Sequence, residues 1–452
     1  MKPRDLQPSV SVISAPQLRQ FAKSSASLSI VDQCLASATN FLTGMLIARA
    51  AGVEEFGLYF LGFTTVWIVL ELQSALVTTP YLVFAPRLSG SEATRYAGSI
   101  RTHQLGLSVV GAALAGFGAL LASIATGWLP DGVGAVFLAL IVALPCLMLR
   151  DFARRVCFAR KRMATALLID GGVFMIQILG LAVLASNETL NATSAYCVIA
   201  VATLLPAVAW LYSERASFSP GPWRDDLRRN LQLGGWVFAS GLLWAVSSNI
   251  YPWLVAGTKG SAAAGIWGAC MQLLAIANIP MLGTQNFLGP KLATLYAEEG
   301  VASLRRLALR SSALFGAAVF FVATVLWLFA DLILRLVYGE EFQGNADVVL
   351  LLVLNLATVA AAFPLSRGLF ALERARADFL VNLVPVTLLF AAGIPLIHSH
   401  GVVGGAVGLF LSGGAALVVR LLVFAAVSRS QAPHRRADRG AGGDDGSDDG
   451  PT

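Results

Sequence analysis

Ionisable side chains are rare inside the apolar blocks of this sequence, and such groups are costly in hydrocarbon, so each is a candidate for chemistry. Asp32, Glu71 and Asp170 are carboxylates set among apolar neighbours, so each could couple to a proton or Na+ gradient or pair with an arginine. Glu71 gives the sharpest signal: it lies near the middle of its block, two residues before Gln73, and could instead hydrogen-bond ligand hydroxyls or be locked to a neighbouring helix. Asp32, next to Gln33, is placed to meet an arginine at the mouth of a cavity, and Asp170 reads more as a helix-packing contact. Among the cations, Arg150 and Arg154 fall one helical turn apart, a spacing that lets two fork-shaped donors face one anion, while Arg155 follows Asp151 by four residues and pairs with it. Arg49 stands alone at the opposite end of its block and either receives anionic groups there or snorkels to lipid. Asn249, Gln272 and Asn278 supply amides suited to polyhydroxylated ligands or to helix packing.

The blocks that carry these residues set the class of protein. Apolar residues make up 56% of the 452-residue chain and charged residues 13%, about half the usual charged share of a soluble domain. A bilayer core about 30 Å thick takes about 20 helical residues per crossing. Twelve blocks of that length are predicted, at 25–48, 57–82, 104–126, 133–150, 164–185, 193–213, 233–256, 263–289, 311–334, 346–366, 378–397 and 402–427. Helix is the expected state, because an open strand in lipid leaves backbone groups unpaired. Of the 32 basic residues, all but Arg49, Lys259 and Arg335 fall on one side of this plan, which predicts that side and both termini to be cytoplasmic. The net charge of +6 follows from these orientation signals and calls for no nucleic acid.

The rest of the organisation is read as a cytoplasmic segment 1–24, a six-helix bundle 25–213, an amphipathic linker 214–232, a second six-helix bundle 233–427 and a disordered tail 428–452. The first segment has no apolar core followed by a small-residue cleavage site, so no removable signal is expected. The five cysteines form no CxxC and read as small apolar packers. His398 and His400 have no third ligand nearby, so no metal site is expected, and the sequence has neither a Walker loop nor GxSxG.

Folding the chain on itself with a shift near 208 residues aligns its two halves. Gly57-Leu58-Tyr59 falls on Gly265-Ile266-Trp267, Pro86-Arg87-Leu88 on Pro290-Lys291-Leu292, Phe158-Ala159 on Phe370-Ala371, and Leu168-Ile169-Asp170 on Leu380-Val381-Asn382. Six spans per half predict parallel repeats related by an axis along the membrane normal.

The stretch Ile47-Ala48-Arg49-Ala50-Ala51-Gly52-Val53-Glu54-Glu55-Phe56-Gly57-Leu58-Tyr59 resembles the loop between the first two helices of polysaccharide-exporting, Wzx-like flippases. These belong to the multidrug/oligosaccharidyl-lipid/polysaccharide exporter superfamily. The basic run after the fourth span and Arg367-Gly368-Leu369-Phe370-Ala371-Leu372-Glu373-Arg374 also resemble that family. The resemblance implies an all-α, MATE-like fold of two pseudo-symmetric bundles. It further implies a non-enzymatic transporter of the bacterial inner membrane that flips an undecaprenyl-diphosphate oligosaccharide for O-antigen or exopolysaccharide assembly. No cofactor is implied, a proton or Na+ gradient would drive the step, and the partners would be membrane lipids, a polysaccharide polymerase and chain-length proteins. In that setting Arg49, Arg150 and Arg154 would meet phosphates, with Glu71, Asp32, Asn249, Gln272 and Asn278 as further cavity candidates. A cation-coupled drug exporter of the same fold is the closest alternative, and a glycan polymerase or ligase a more distant one.

Overall fold

The computed structural model describes residues 25–124, 127, 129–277 and 279–430, and every regular element among them is helical. In chain order the helices are α1 (Ser25–Gln73), α2 (Thr79–Phe84), α3 (Gly90–Ile124), α4 (Val133–Ala159), α5 (Met163–Ser186) and α6 (Ala192–Ser213), followed by α7 (Trp223–Asn249), α8 (Tyr251–Lys259), α9 (Ser261–Ala277) and α10 (Ile279–Glu299). The second half continues with α11 (Val301–Leu328), α12 (Ala330–Val337), α13 (Ala346–Ala371), α14 (Ala375–Val381), α15 (Leu383–Leu388) and α16 (Ile394–Ser430). The segment 1–24 and the tail from 431 onward lie outside the described residues.

Eight helical runs among the described residues are long and apolar enough to cross a membrane, and the first and last of them double back at a glycine. α1 turns at Gly52 (φ 85°, ψ 177°), and residues near both of its ends reach the same stretch of α4, Asp32 through Arg154 and Gln73 through Met148 and Asp151. α16 turns at Gly401 (φ 59°). With α7–α8 and α9–α10 as two further crossings, all twelve predicted blocks are helical over their described residues. The amphipathic residues of the linker form the first turns of α7, which runs without interruption to Asn249.

Two crossings contain a π turn, Ser74–Thr78 and Leu389–Gly393, and each turn is followed two residues later by a proline, Pro80 and Pro395. Proline has no N–H for the carbonyl four residues before it, and a widened turn absorbs the interruption.

The duplication is written into the backbone. The left-handed or otherwise positive-φ positions recur at a nearly constant interval: Gly52 with Gly260, Gly90 with Gly300, Gly132 with Gly344, Lys161 with Glu373, and Glu188 with Gly401. The pairs are 208 to 213 residues apart, and Gly52 and Gly260 share φ and ψ within a few degrees. The turns after α4 and α13 also close alike: the Arg162 N–H donates to Cys157 O at 2.8 Å and the Arg374 N–H to Leu369 O at 2.9 Å. Seven of these ten residues are glycine, but Lys161, Glu188 and Glu373 are not, and a residue other than glycine with φ > 0 is uncommon, so their recurrence marks the same backbone plan in both halves.

The halves meet at the end that carries Gly52, the arginine-poor end. There the repeat-related glycines pack against one another's helices. A Cβ on Gly57 would lie 1.9 Å from Ser261 O and 2.9 Å from the Gly265 nitrogen; one on Gly265 would lie 2.2 Å from Val53 O. Phe56 packs against Tyr338 and Phe342 at 5.7 and 5.8 Å between ring centroids, and the Trp253 indole N–H donates to Thr64 Oγ1 at 3.0 Å. At the arginine-rich end each half has its own apolar cluster, around Phe152 and Trp210 in the first and around Leu369 and Phe424 in the second.

Candidate functional site

The charged residues singled out from sequence converge at the arginine-rich end of the first half, and α4 organises them. Arg150, Asp151, Arg154 and Arg155 span little more than one turn, so they fan out toward three neighbouring crossings. Arg150 places Nη2 2.8 Å from Asp170 Oδ1 on α5. Arg154 donates through Nη2 to Asp32 Oδ2 at 2.6 Å and through Nε to the same oxygen at 2.9 Å, and its Nε also lies 3.0 Å from Asp170 Oδ2. Its Nη2 reaches Gln33 Oε1 at 3.3 Å, and the guanidinium lies over the Phe158 ring at 4.9 Å. Asp32 and Asp170 are both buried. One arginine therefore ties the first arm of α1 and α5 to α4.

This arrangement bears directly on what these groups can do. Two carboxylates and two guanidiniums balance, so a metal ion entering between Asp32 and Asp170 would meet the fixed positive charge of Arg154. The same pairing engages Nε and Nη2 of both Arg150 and Arg154, so an incoming anion would have to compete with Asp32 and Asp170 for them. All four are brought together here, chiefly as partners of one another.

Glu71 sits beside this knot on the second arm of α1. It is nineteen residues past Gly52, about 28 Å along the helix axis, at the level of Asp151 and Arg155. Gln73 donates to Met148 O at 3.0 Å and to Asp151 Oδ2 at 3.3 Å, and Arg155 Nε reaches Asp151 Oδ1 at 3.5 Å. Glu71 is half-buried, and among the described residues it accepts no hydrogen bond. The π turn begins three residues later.

The remaining candidates lie elsewhere. Arg49 is at the arginine-poor end, where it donates through Nε to Val337 O at 2.9 Å and through Nη2 to Leu336 O, capping the last carbonyls of α12. Next to it, Glu341 Oε2 accepts from the Val53 N–H at 3.1 Å. Gln272 is also part of this junction: its Oε1 accepts from the Tyr338 hydroxyl at 3.0 Å, and its amide fills the space left by Gly44 of α1. Asn249 turns its Nδ2 onto Ala245 O of its own helix at 2.7 Å. Asn278 lies outside the described residues. His400 contacts Ser399 Oγ through Nδ1 at 2.7 Å, and no group of three metal-ligating side chains converges among the described residues.

A second charged group at the arginine-rich end was missed from sequence. Buried Arg420 of α16 donates through Nε to Asp378 Oδ1 at 3.1 Å and through Nη2 to Asn382 Oδ1 at 2.6 Å. Arg367 of α13 lies nearby, its guanidinium 4.9 Å from the Phe363 ring centroid and 5.9 Å from that of Phe370. The signal was present in the duplication: Asn382 had already been aligned with Asp170, and the same register places Arg367 on Arg155.

Residues 155–347 match the family described as polysaccharide biosynthesis protein. No curated protein matches the chain. Among solved structures, an inward-facing conformation of a multidrug resistance MATE family transporter of the MOP superfamily superposes with a TM-score of 0.73 at 14% identity, covering 88% of this chain and 95% of that one. The lipid II flippase MurJ in an inward closed conformation gives 0.66 at 12% identity, covering 93% and 94%. A MOP superfamily transporter from Pyrococcus furiosus, described as having a binding pocket of reversed polarity, gives 0.63 at 13% identity, covering 90% and 95%. The chain is therefore a multi-pass membrane protein with a MATE-like fold, and its match to the polysaccharide biosynthesis family over residues 155–347 agrees with the family resemblance read from the Ile47–Tyr59 loop and the basic runs.

Proposed function

We propose that this chain is a secondary transporter that flips an undecaprenyl-diphosphate-linked oligosaccharide from the cytoplasmic to the periplasmic leaflet for surface polysaccharide assembly. In this reading it resides in a bacterial inner membrane with its arginine-rich end and both termini cytoplasmic, and it hands product to a polymerase and chain-length proteins. The observation that carries the reading is the division of labour between the ends. Charged groups gather at one end within each half, while the halves are sealed against each other at the other end by Arg49, Phe56, Gly57, Gly265 and Tyr338. The match to the polysaccharide biosynthesis family supports a glycan-bearing substrate over a drug.

Coupling to a proton or Na+ gradient falls to Glu71 in this reading. Asp32 and Asp170 already hold guanidiniums, whereas the charges that act on Glu71 among the described residues are those of Arg155 and Asp151, which oppose one another. In proteoliposomes loaded with the lipid-linked glycan on one leaflet, wild-type protein is expected to expose the glycan to an impermeant probe on the other. Glu71→Gln is expected to remove the response to an imposed pH or Na+ gradient. Protein that moves no glycan but expels cationic drugs would replace this reading with the exporter of the same fold.

A further inference from the structure

The two halves carry one arginine in the same place. A shift of 212 residues puts Arg155 on Arg367 and Phe158-Ala159 on Phe370-Ala371, and it also superposes the left-handed turns at Lys161 and Glu373. Both arginines lie near the end of an equivalent helix, α4 in one half and α13 in the other. Their neighbours one turn back differ. Arg155 has Asp151 at i−4, with Nε 3.5 Å from the carboxylate; the equivalent of Asp151 is Phe363. An ion pair has been replaced by a ring 4.9 Å from the guanidinium, with Phe370 a turn further on at 5.9 Å.

The exchange leaves Arg367 electrostatically unspent. The carboxylate that acts on it is Asp378 of α14, which already holds Arg420 at 3.1 Å. One aspartate thus serves two arginines, and among the described residues no carboxylate lies within ion-pair distance of Arg367. The side chain is exposed, and opposite its stem α10 carries Gly289, where a Cβ would come within 3.8 Å of Arg367 Cδ. Rings flanking a guanidinium hold it flat through cation–π contact and leave its N–H edge outward, and that edge matches phosphate oxygens in pairs.

We propose that Arg367, clamped by Phe363 and Phe370, binds the phosphate of a lipid headgroup, and that the diphosphate of a polyprenyl-linked substrate is its principal ligand. The choice of polyprenyl diphosphate over an ordinary anionic phospholipid rests on the flippase reading; the phosphate chemistry does not. Arg367 begins the last turn of α13, 21 residues, or about 32 Å, from the start of that helix, which suits a group at the level of headgroups rather than of acyl chains.

Native mass spectrometry of the full chain, titrated separately with undecaprenyl diphosphate and with phosphatidylglycerol, tests the assignment. Arg367→Gln is expected to weaken undecaprenyl diphosphate binding about tenfold, and Arg367→Lys, which keeps the charge but not the fork, by about threefold. Arg155→Gln is expected to stay within about twofold, because its partner is intramolecular. A loss confined to phosphatidylglycerol keeps the phosphate site and overturns its assignment to the substrate. Unchanged binding of both lipids by Arg367→Gln, or an equal loss in Arg155→Gln, overturns the proposal. If binding depends on Arg367 while wild-type protein moves no glycan across proteoliposomes, the phosphate site stands and the flippase reading falls.

Discussion

The charged groups at the arginine-rich ends of the two halves differ in their balance. The first half gathers three arginines (Arg150, Arg154, Arg155) with four carboxylates (Asp32, Glu71, Asp151, Asp170). The second half sets two arginines (Arg367, Arg420) against one aspartate, Asp378. Within these two clusters the same scaffold therefore holds one carboxylate more than its arginines in the first half and one arginine more than its carboxylates in the second. The difference comes from a few substitutions within a conserved backbone. Where Asp151, Arg154 and Asp170 stand in the first half, Phe363, Ser366 and Asn382 stand in the second. Whether an arginine fixes helices or remains open to a ligand is decided by the residue one turn before it and by the neighbours that share its carboxylate.

The largest effect is expected where charge is most deeply committed. Asp170→Asn keeps the shape of the side chain but leaves Arg150 and Arg154 short of a buried counter-charge, and loss of one partner of a buried pair costs about 3–5 kcal/mol. Denaturant-induced unfolding in detergent measures it, and a change under about 1 kcal/mol would break the picture of a structural knot. An intermediate effect is expected from making the second half resemble the first. Phe363→Asp restores the i−4 carboxylate and should neutralise Arg367, lowering undecaprenyl diphosphate affinity about fivefold, or about 1 kcal/mol. Phe363→Asn, of the same size and uncharged, controls for the lost ring; equal losses in the two variants would assign the effect to packing. The smallest effect is expected from Arg155→Gln, whose partly exposed pair with Asp151 at 3.5 Å contributes no more than about 0.5 kcal/mol to stability by the same unfolding measurement.

The membrane crossings were legible because the bilayer imposes one rule on every segment, and the duplication was legible because its matches kept their order along the chain. The pairing of Asp32 with an arginine was anticipated in kind, since a buried carboxylate near basic residues has few other partners. What sequence could not supply was contact between halves. Arg49 has an anomalous position in the sequence, but its partners are carbonyls at residues 336 and 337, nearly 290 residues away. Gln272 reads from sequence as suited to ligands or to helix packing, and only the structure shows it accepting from Tyr338 and filling the notch at Gly44. Arg367 was hidden differently: every cation on its side of the membrane also serves orientation, so its surplus charge emerges only when its neighbours are compared with those of Arg155.

The glycine crossing at the arginine-poor end has a mechanical consequence. Gly57 and Gly265 are images of each other under the repeat, so they meet close to the pseudo-twofold axis, and their helices touch with no side chain between them. That close approach, packed round by Phe56, Trp253, Gln272 and Tyr338, makes this end the bearing of the two halves. Turned through about 10° there, a lever about 28 Å long moves its far end about 5 Å, so groups at the level of Glu71 would be displaced by more than a hydrogen bond can span. Because the two backbones touch at the axis, the groups farthest from it travel the most for a given turn.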